Sequence, residues 1–195
     1  IVCHGVPSKK VWHAFLDWIS KGKQVTEVDF RNKTDFGWEA HVETIRMGND
    51  KVDSEVFKNL FYGHNVLRPS CYECPYKSIH HPGDITIADY WGIDNAAPGF
   101  NDNKGVSLVL VNTEKGKIAF EKIKENIDWI ETRIEDSMQP PLKEPFPRPK
   151  EREQFWKDFE EKNFSHIAMK YGGLIPFWRK IVRKIKQIIR KLMIK

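Results

Sequence analysis

Two cysteines with metal-ligand spacing are the clearest chemical signal in the sequence. Only two residues separate Cys71 from Cys74, so both sulfurs could bind one metal centre without strain. The third cysteine, Cys3, is distant in sequence, and only the fold would bring it to the pair. Iron–sulfur clusters and structural zinc both favour thiolate and usually take four ligands. The cysteines therefore predict a metal site. Since the chain starts without methionine inside an apolar segment, we expect a fourth ligand upstream.

Spacing alone leaves other interpretations of the cysteines open. Zinc also accepts nitrogen, which could come from His4, His64, His80 or His81. A redox-active Cys-x-x-Cys pair normally lies at the start of a helix that follows a strand, whereas Pro69 and Pro75 flank this pair. The three thiols could also be unrelated. There is no Ser–His–Asp set and no recognisable carboxylate pair, so hydrolysis has no support.

Composition places the basic charge at one end of the chain. Of 32 Lys and Arg in 195 residues, eight lie in residues 177–195, which contain no Asp or Glu. The rest has 24 basic and 27 acidic residues, so a nucleic-acid-binding surface is not expected. Three cysteines argue against a disulfide scaffold and favour a cytoplasmic protein. No apolar run approaches the roughly 20 residues of a membrane-spanning helix.

The tail, residues 177–195, has the pattern of an amphipathic helix. One face is apolar, and the cations lie mostly outside it. The apolar residues are Phe177, Trp178, Ile181, Ile185, Ile188, Leu192 and Met193. Such a helix typically lies in an anionic membrane surface, so we expect peripheral attachment at the inner face of the membrane. A partner-docking helix, a nucleic-acid contact and an unstructured basic end are the alternatives.

Alternating and helical periodicities predict the elements that would position these residues. Helices are expected over 9–20, 53–61, 114–126 and 151–163, and strands over 1–6, 25–31, 38–46, 84–90, 106–111 and 129–134. Residues 67–81 and 93–105 are predicted loops. The mixture predicts an α+β fold with a mixed β-sheet and flanking helices. The predicted divisions are a domain over 1–139, a proline-rich strap and charged helix over 140–176, and the tail.

Five segments in series carry a resemblance to a known family. They are Cys3–Ser8, Phe30–Lys33 with Gly37 and Trp38, Leu67–Cys74, Asp84–Gly92 and Lys104–Thr113. Their order and spacing resemble the C-terminal domain of the coenzyme F420 hydrogenase/dehydrogenase beta-subunit family. The resemblance runs from residue 1 to about residue 135.

The resemblance implies a flavin-dependent iron–sulfur oxidoreductase. Family members carry FAD and a [4Fe-4S] cluster, and they pass electrons to or from a partner protein or a deazaflavin. Cys3, Cys71 and Cys74 match three cluster-ligand positions. The fourth family cysteine lies in an upstream Gly-Thr-Pro-Cys segment that this chain lacks, so this chain alone would be inactive. Members also occur beside bacterial surface-polysaccharide genes, so a deazaflavin substrate does not follow.

Asp89, Trp91 and Gly92 form a first candidate flavin contact. Asp89 is expected at a strand end, with Trp91 and Gly92 in the turn that follows. A flat aromatic ring beside a glycine could pack near an isoalloxazine, because glycine allows close backbone approach. A core tryptophan followed by a simple turn is the competing interpretation.

A second candidate contact lies where a loop enters the strand over 106–111. Lys104, Gly105 and Ser107 could hold a phosphate or a flavin carbonyl through the ammonium group and backbone N–H groups. Arg31 and Lys33 could likewise contact an anion. Plain loop geometry and solvated charges explain the same residues.

The sequence therefore predicts the C-terminal part of an oxidoreductase that uses FAD and a [4Fe-4S] cluster. A partner protein or a deazaflavin-like small molecule would complete the reaction. The alternative is a non-catalytic module, stabilised by zinc or thiols and attached peripherally to the membrane.

Overall fold

The computed structural model describes residues 1–175, which form eight α-helices and two small antiparallel β-sheets. The helices are α1 Lys9–Ser20, α2 Lys33–Phe36, α3 Val56–Tyr62, α4 Ile93–Ala96, α5 Glu114–Glu121, α6 Ile134–Ser137, α7 Arg152–Glu161 and α8 Phe164–Lys170. The strands are β1 Glu27–Asp29, β2 Glu43–Met47, β3 Asp50–Ser54, β4 Ile85–Asp89 and β5 Ser107–Val111. The predicted α+β class is confirmed, with two antiparallel sheets in place of one mixed sheet.

The first sheet has the order β1-β2-β3, and β2 is its buried centre. A tight hairpin joins β2 to β3, with Met47 opposite Asp50. Gly48 supplies the turn because its φ of 63° lies in the left-handed region, which glycine enters without strain. The sequence predicted this turn but missed β3, since β3 is an exposed edge strand with little apolar alternation.

The first core packs α1, α3, α7 and α8 against β2. Its buried apolar side chains are Val11, Phe15, Ile45, Val56, Phe57, Leu60, Val66, Phe155, Ile167 and Ala168. The predicted boundaries of α1 are confirmed. Ser8 occupies the N-cap position, but its side chain makes no capping hydrogen bond within the described residues. The helix ends where Lys21 takes a left-handed conformation before Gly22.

The second core lies beside the β4–β5 strand pair. Trp38, Tyr90, Ile93 and Leu108 are buried there, together with Leu142 from the proline-rich segment. Leu142 is only 1% exposed. Residues 140–149 are therefore packed against the body rather than free of it, and they lead directly into α7.

Several predicted elements differ in the structure. Residues 1–6 form no strand, and Ile1 is almost fully exposed, although the Val2 amide donates to the Ile87 carbonyl. Residues 129–134 also form no strand, because no neighbouring strand in the described chain pairs with them. The loop predicted over 93–105 contains the short helix α4, and α8 was not predicted.

The helix predicted over 114–126 is broken. α5 ends at Glu121 and a 3-10 turn follows over Lys124–Asn126. Ile118, Ile123 and Ile127, which the sequence placed on a buried stripe, are 41–59% exposed. In residues 1–175 no helix is both long and apolar enough to cross a membrane. The predicted amphipathic helix over 177–195 lies outside the described residues.

Truncation of Leu142 tests the docking of the proline-rich segment. Leu142→Ala removes a fully buried side chain beside Trp38 and Leu108, so we expect the free energy of unfolding to fall by about 2–5 kcal/mol. Denaturant unfolding measures the loss. The matched control is Lys143→Ala at an exposed neighbouring position, where we expect a change within about 0.5 kcal/mol. Equal effects of the two substitutions would show that the segment is not docked.

Candidate functional site

The start of the chain lies directly against the segment that carries the cysteine pair. The Val6 amide donates to the Cys71 sulfur at 3.3 Å, the Arg68 amide donates to the Val6 carbonyl at 2.9 Å, and the Ser8 amide donates to the Val66 carbonyl at 2.8 Å. Gly5 allows this approach, since a Cβ there would lie 2.9 Å from the buried Leu67 side chain. These contacts bring the segment of Cys3 beside that of Cys71 and Cys74.

A buried lysine lies beside His4, in the segment of Cys3. Lys77 is 5% exposed, and its ammonium donates to the His4 carbonyl at 2.5 Å and lies 3.9 Å from the Phe146 ring centroid. Burial lowers the pKa of Lys77, and the charges of Cys3, Cys71 and Cys74 partly oppose that shift. All three thiols are thus within electrostatic reach of one ammonium group. We call Cys3, Cys71, Cys74 and Lys77 the thiol site.

Two histidines border the thiol site. The Nε2 atoms of His4 and His64 are 2.9 Å apart, and both imidazoles pack on Phe146. Burial, followed by the charges of His64 and Lys77, lowers the pKa of His4 to about 4. Burial also lowers the pKa of His64. Both rings are neutral at pH 7, so one can donate its N–H to the other.

The thiol site has suitable donors, but they are not arranged around a centre. Cys71 is buried, Cys74 is half-buried and Cys3 is exposed. Within residues 1–175, no three His, Cys, Asp or Glu side chains are close enough together to hold a metal ion. Thiolate sulfur suits iron–sulfur clusters and zinc alike. The metal site therefore stays a prediction, which the adjacency of the two segments supports without completing the ligand set.

A second constellation joins Arg31 to Asp89. The Arg31 guanidinium donates to Asp89 Oδ2 at 2.9 Å, and the Trp38 indole donates to Asp89 Oδ1 at 3.2 Å. Burial raises the pKa of Asp89, but the hydrogen bonds and charge of Arg31 outweigh it, and the pKa ends below its ordinary value. Asp89 is therefore ionised at neutral pH, fixed by two donors from another part of the chain.

Trp91 stacks on Trp38 in the same constellation. The ring planes are 3° apart with centroids at 4.5 Å, and the Arg31 guanidinium lies 5.3 Å from the Trp91 centroid. Trp38 is buried, whereas Trp91 is 38% exposed. We call Arg31, Trp38, Asp89 and Trp91 the paired-tryptophan site. One face of Trp91 is thus occupied by Trp38 and is not available to a flavin.

Of the other residues predicted to contact a flavin, some lie near this site and one is exposed to solvent. A Cβ on Gly105 would lie 3.2 Å from both Lys33 Nζ and Trp38, so the glycine allows these two side chains to approach the backbone closely. Ser107 is opposite Asp89 in the β4–β5 register. Gly92, with φ 90°, leads into α4. Lys104 points away: its side chain is 87% exposed and pairs with Asp102 on the surface.

Tyr62 lies between the thiol site and the paired-tryptophan site. Its hydroxyl is 2.8 Å from His41 Nδ1, and its ring meets His4 edge-on with centroids at 4.8 Å. Burial raises the pKa of Tyr62, and the positive charge of Arg31 opposes the shift. Burial, then the charges of Arg31 and Lys58, lowers the pKa of His41 to about 4. Tyr62 thus packs on His4 and lies within electrostatic reach of Arg31.

Glu43 is a buried carboxyl group close to these residues. It is 1% exposed on β2, and its Oε2 has no hydrogen-bond partner within the described chain. Burial raises the pKa of Glu43 to about 8, against smaller opposing contributions that include the charge of Lys58. The side chain is therefore largely a neutral carboxylic acid at pH 7.

Sequence reasoning missed several of these residues. Lys77, Tyr62, His41 and Glu43 were not selected as site residues, since nothing in their spacing marks them. Trp38 carries a sequence signal, because it follows Gly37 in one of the segments that support the family resemblance. Their roles depend on contacts between positions that are far apart in the chain.

The chain has an α+β fold that carries a loop with two cysteines and a group of interacting Arg, Asp and Trp side chains. A family model that describes the carboxy terminus of the coenzyme F420 hydrogenase/dehydrogenase beta subunit matches residues 1–137. The chain belongs to this family, which confirms the resemblance found in the sequence, and it is an oxidoreductase-related module. No match to the chain was found among curated proteins or among solved structures.

The buried acid predicts a specific pH dependence. Between pH 4.5 and pH 8 the folded protein keeps a proton on Glu43 that the unfolded chain releases, so the free energy of unfolding falls as pH rises through this window. Glu43→Gln removes this contribution. Denaturant unfolding gives the free energy of unfolding of the variant minus that of the unsubstituted protein. We expect this difference to be more favourable to the variant at pH 8 than at pH 5. The exposed control is Glu144→Gln. An equal stability difference at both pH values would contradict the buried acid.

Proposed function

We propose that this chain is the C-terminal part of a flavin-dependent iron–sulfur oxidoreductase. Membership of the family supports this function, and one structural observation carries it furthest. Tyr62 packs on His4, the neighbour of Cys3. Its hydroxyl lies 2.8 Å from His41, whose pKa responds to the charges of Arg31 and Asp89, so both sites approach this one residue. A protein that moves electrons between two redox groups needs two neighbouring sites of different chemistry.

In this proposal the thiol site holds part of a [4Fe-4S] cluster, which would supply single-electron transfer. Cys3, Cys71 and Cys74 would provide three thiolates, and a fourth ligand from elsewhere would complete the cluster. The Lys77 ammonium would offset part of the negative charge of the thiolates.

The paired-tryptophan site would form part of a binding surface for FAD, which would supply hydride chemistry. Arg31 and Lys33 would bring positive charge toward anionic parts of the cofactor. Asp89 keeps Arg31 oriented. Tyr62 and His41 share a hydrogen bond 2.8 Å long, so they can hold or pass a proton near Arg31.

The partner of the reaction is an electron-transfer protein or a deazaflavin-like small molecule, as for the family. We also propose a peripheral position at the inner face of the membrane, through the basic tail, in a surface-polysaccharide context. The charge pattern of residues 177–195 is the support for this location.

Cofactor analysis of the natural full-length protein, purified without oxygen, tests the proposal. We expect iron, acid-labile sulfide and flavin in the protein. Cys3→Ser, Cys71→Ser and Cys74→Ser should each remove most of the iron. Arg31→Gln should lower the flavin content and leave the iron, because Arg31 belongs to the other site. Ser70→Ala, beside Cys71 but without a thiol, is the control. Protein free of both iron and flavin would contradict the proposal.

A zinc-stabilised, non-catalytic module is the second candidate. The position of His4 and His64 beside the thiol site favours it, since zinc accepts mixed sulfur and nitrogen ligands. His80 and His81 follow in a loop after the cysteine pair. One zinc per chain without iron, lost on His64→Ala, would support this candidate over the oxidoreductase.

The tail gives a prediction that is independent of the cofactors. Deletion of residues 177–195 removes eight cations, each worth roughly 1 kcal/mol near an anionic membrane. We expect loss of binding to vesicles that contain phosphatidylserine, measured by co-sedimentation. Vesicles of phosphatidylcholine alone are the control. Equal binding of the full and shortened chains would contradict a membrane role for the tail.

A further inference from the structure

A basic cleft lies on the far side of the cysteine segment, where α7 passes the start of α1. Two adjoining hollows of about 550 and 490 Å³ share Arg152 and Trp156 in their walls. The cations that line them are Lys9, Lys10, Arg68, Arg148, Arg152 and Lys157. Two carboxylates, Glu153 and Glu160, line one hollow. The cleft therefore carries an excess of positive charge.

Arg152 is the central feature of the basic cleft, because it is buried without a counter-ion. The residue is only 6% exposed, and among residues 1–175 no carboxylate forms a salt bridge with it. Burying an uncompensated charge is costly, and proteins normally supply a partner of opposite sign. An anion in the cleft would provide that partner.

The Arg152 guanidinium is held in a fixed orientation. Its Nη1 donates to the Asn65 carbonyl and to the Tyr72 hydroxyl, the latter at 2.8 Å. The aromatic rings of Tyr72 and Trp156 have centroids 5.1 and 5.5 Å from the guanidinium. Nε and Nη2 make no hydrogen bond to residues 1–175. Their two N–H groups are side by side and can donate together to the oxygens of one anion.

Two further features lie beside the basic cleft. The Trp156 Nε1–H is buried, and no acceptor reaches it from residues 1–175. The first turn of α1 contains no acidic residue, and the Ser8 side chain does not cap it, so its amides and the helix dipole favour a negative charge. Each feature alone would be weak evidence for a bound anion. Together with the buried guanidinium they converge on one anionic occupant.

We propose that the basic cleft binds a phosphate-bearing ligand, through the forked guanidinium of Arg152 with Arg68 and Lys9 at its rim. A phosphate group carries more than one negative charge and matches the geometry of a guanidinium fork. The hollows are open to solvent and wide enough to admit a phosphate group. The cleft adjoins the cysteine segment through the Arg152–Tyr72 hydrogen bond, but the proposed ligand is not part of the proposed redox reaction, and Arg148, Arg152 and Lys157 lie beyond the family match over residues 1–137.

Binding of inorganic pyrophosphate to the 195-residue chain tests this site. Nitrogen-15 NMR would follow the Trp156 indole, and calorimetry would give the affinity. We expect a saturable shift of the indole signal, and affinity at least about tenfold weaker in Arg152→Lys, which keeps the charge but loses the fork. Arg68→Gln combined with Lys9→Gln changes only exposed residues and should also weaken binding several-fold. Lys122→Gln, an exposed cation elsewhere, is the control.

A soluble short-chain phosphatidic acid forms the second arm, which separates a lipid headgroup from a free phosphate as the source. Competition between this lipid and pyrophosphate for the same variants would place the lipid phosphate in the basic cleft. Absence of saturable pyrophosphate binding, or equal affinity in the unsubstituted chain and in the Arg68→Gln, Lys9→Gln variant, would overturn the proposal. Neither outcome depends on iron or flavin content, so the proposed oxidoreductase is tested separately.

Discussion

The pairing of the first eight residues with residues 64–77 is the interaction on which the thiol site depends. The backbone bonds of Val6 and Ser8 hold the two segments together. As a consequence Lys77 reaches the carbonyl of His4, and His4 reaches Tyr62. Without this pairing Cys3 would have no reason to lie near the other thiols, and Tyr62 would lose its link to them.

Buried charge is the second constraint on this molecule. Lys77 and Arg152 carry cations in places where water is largely excluded, and Glu43 avoids the same cost by keeping its proton. Such residues lower stability unless a partner compensates them, so they commonly mark functional sites. Thiolates are the natural partners of Lys77, and an external anion is the natural partner of Arg152.

The sequence predicted the local elements well where a strong periodicity is present. The boundaries of α1 follow from its apolar spacing, and the β2–β3 turn follows from Gly48. It failed for residues 129–134, whose apolar pattern implies a strand that has no pairing partner in the described chain. The resemblance brought Arg31, Asp89 and Trp91 forward as separate candidates. The contacts that bring them into one site could not be predicted, because contacts between distant segments depend on the tertiary structure.

Cobalt(II) titration of the 195-residue chain under anaerobic conditions tests most directly whether the three thiols can share one centre. Sulfur-to-cobalt charge-transfer absorption grows with the number of bound thiolates. Our account predicts one cobalt per chain with the absorption of three thiolates, and an equal decrease when Cys3, Cys71 or Cys74 is replaced by serine. An absorption typical of two thiolates, unchanged by Cys3→Ser, would contradict it.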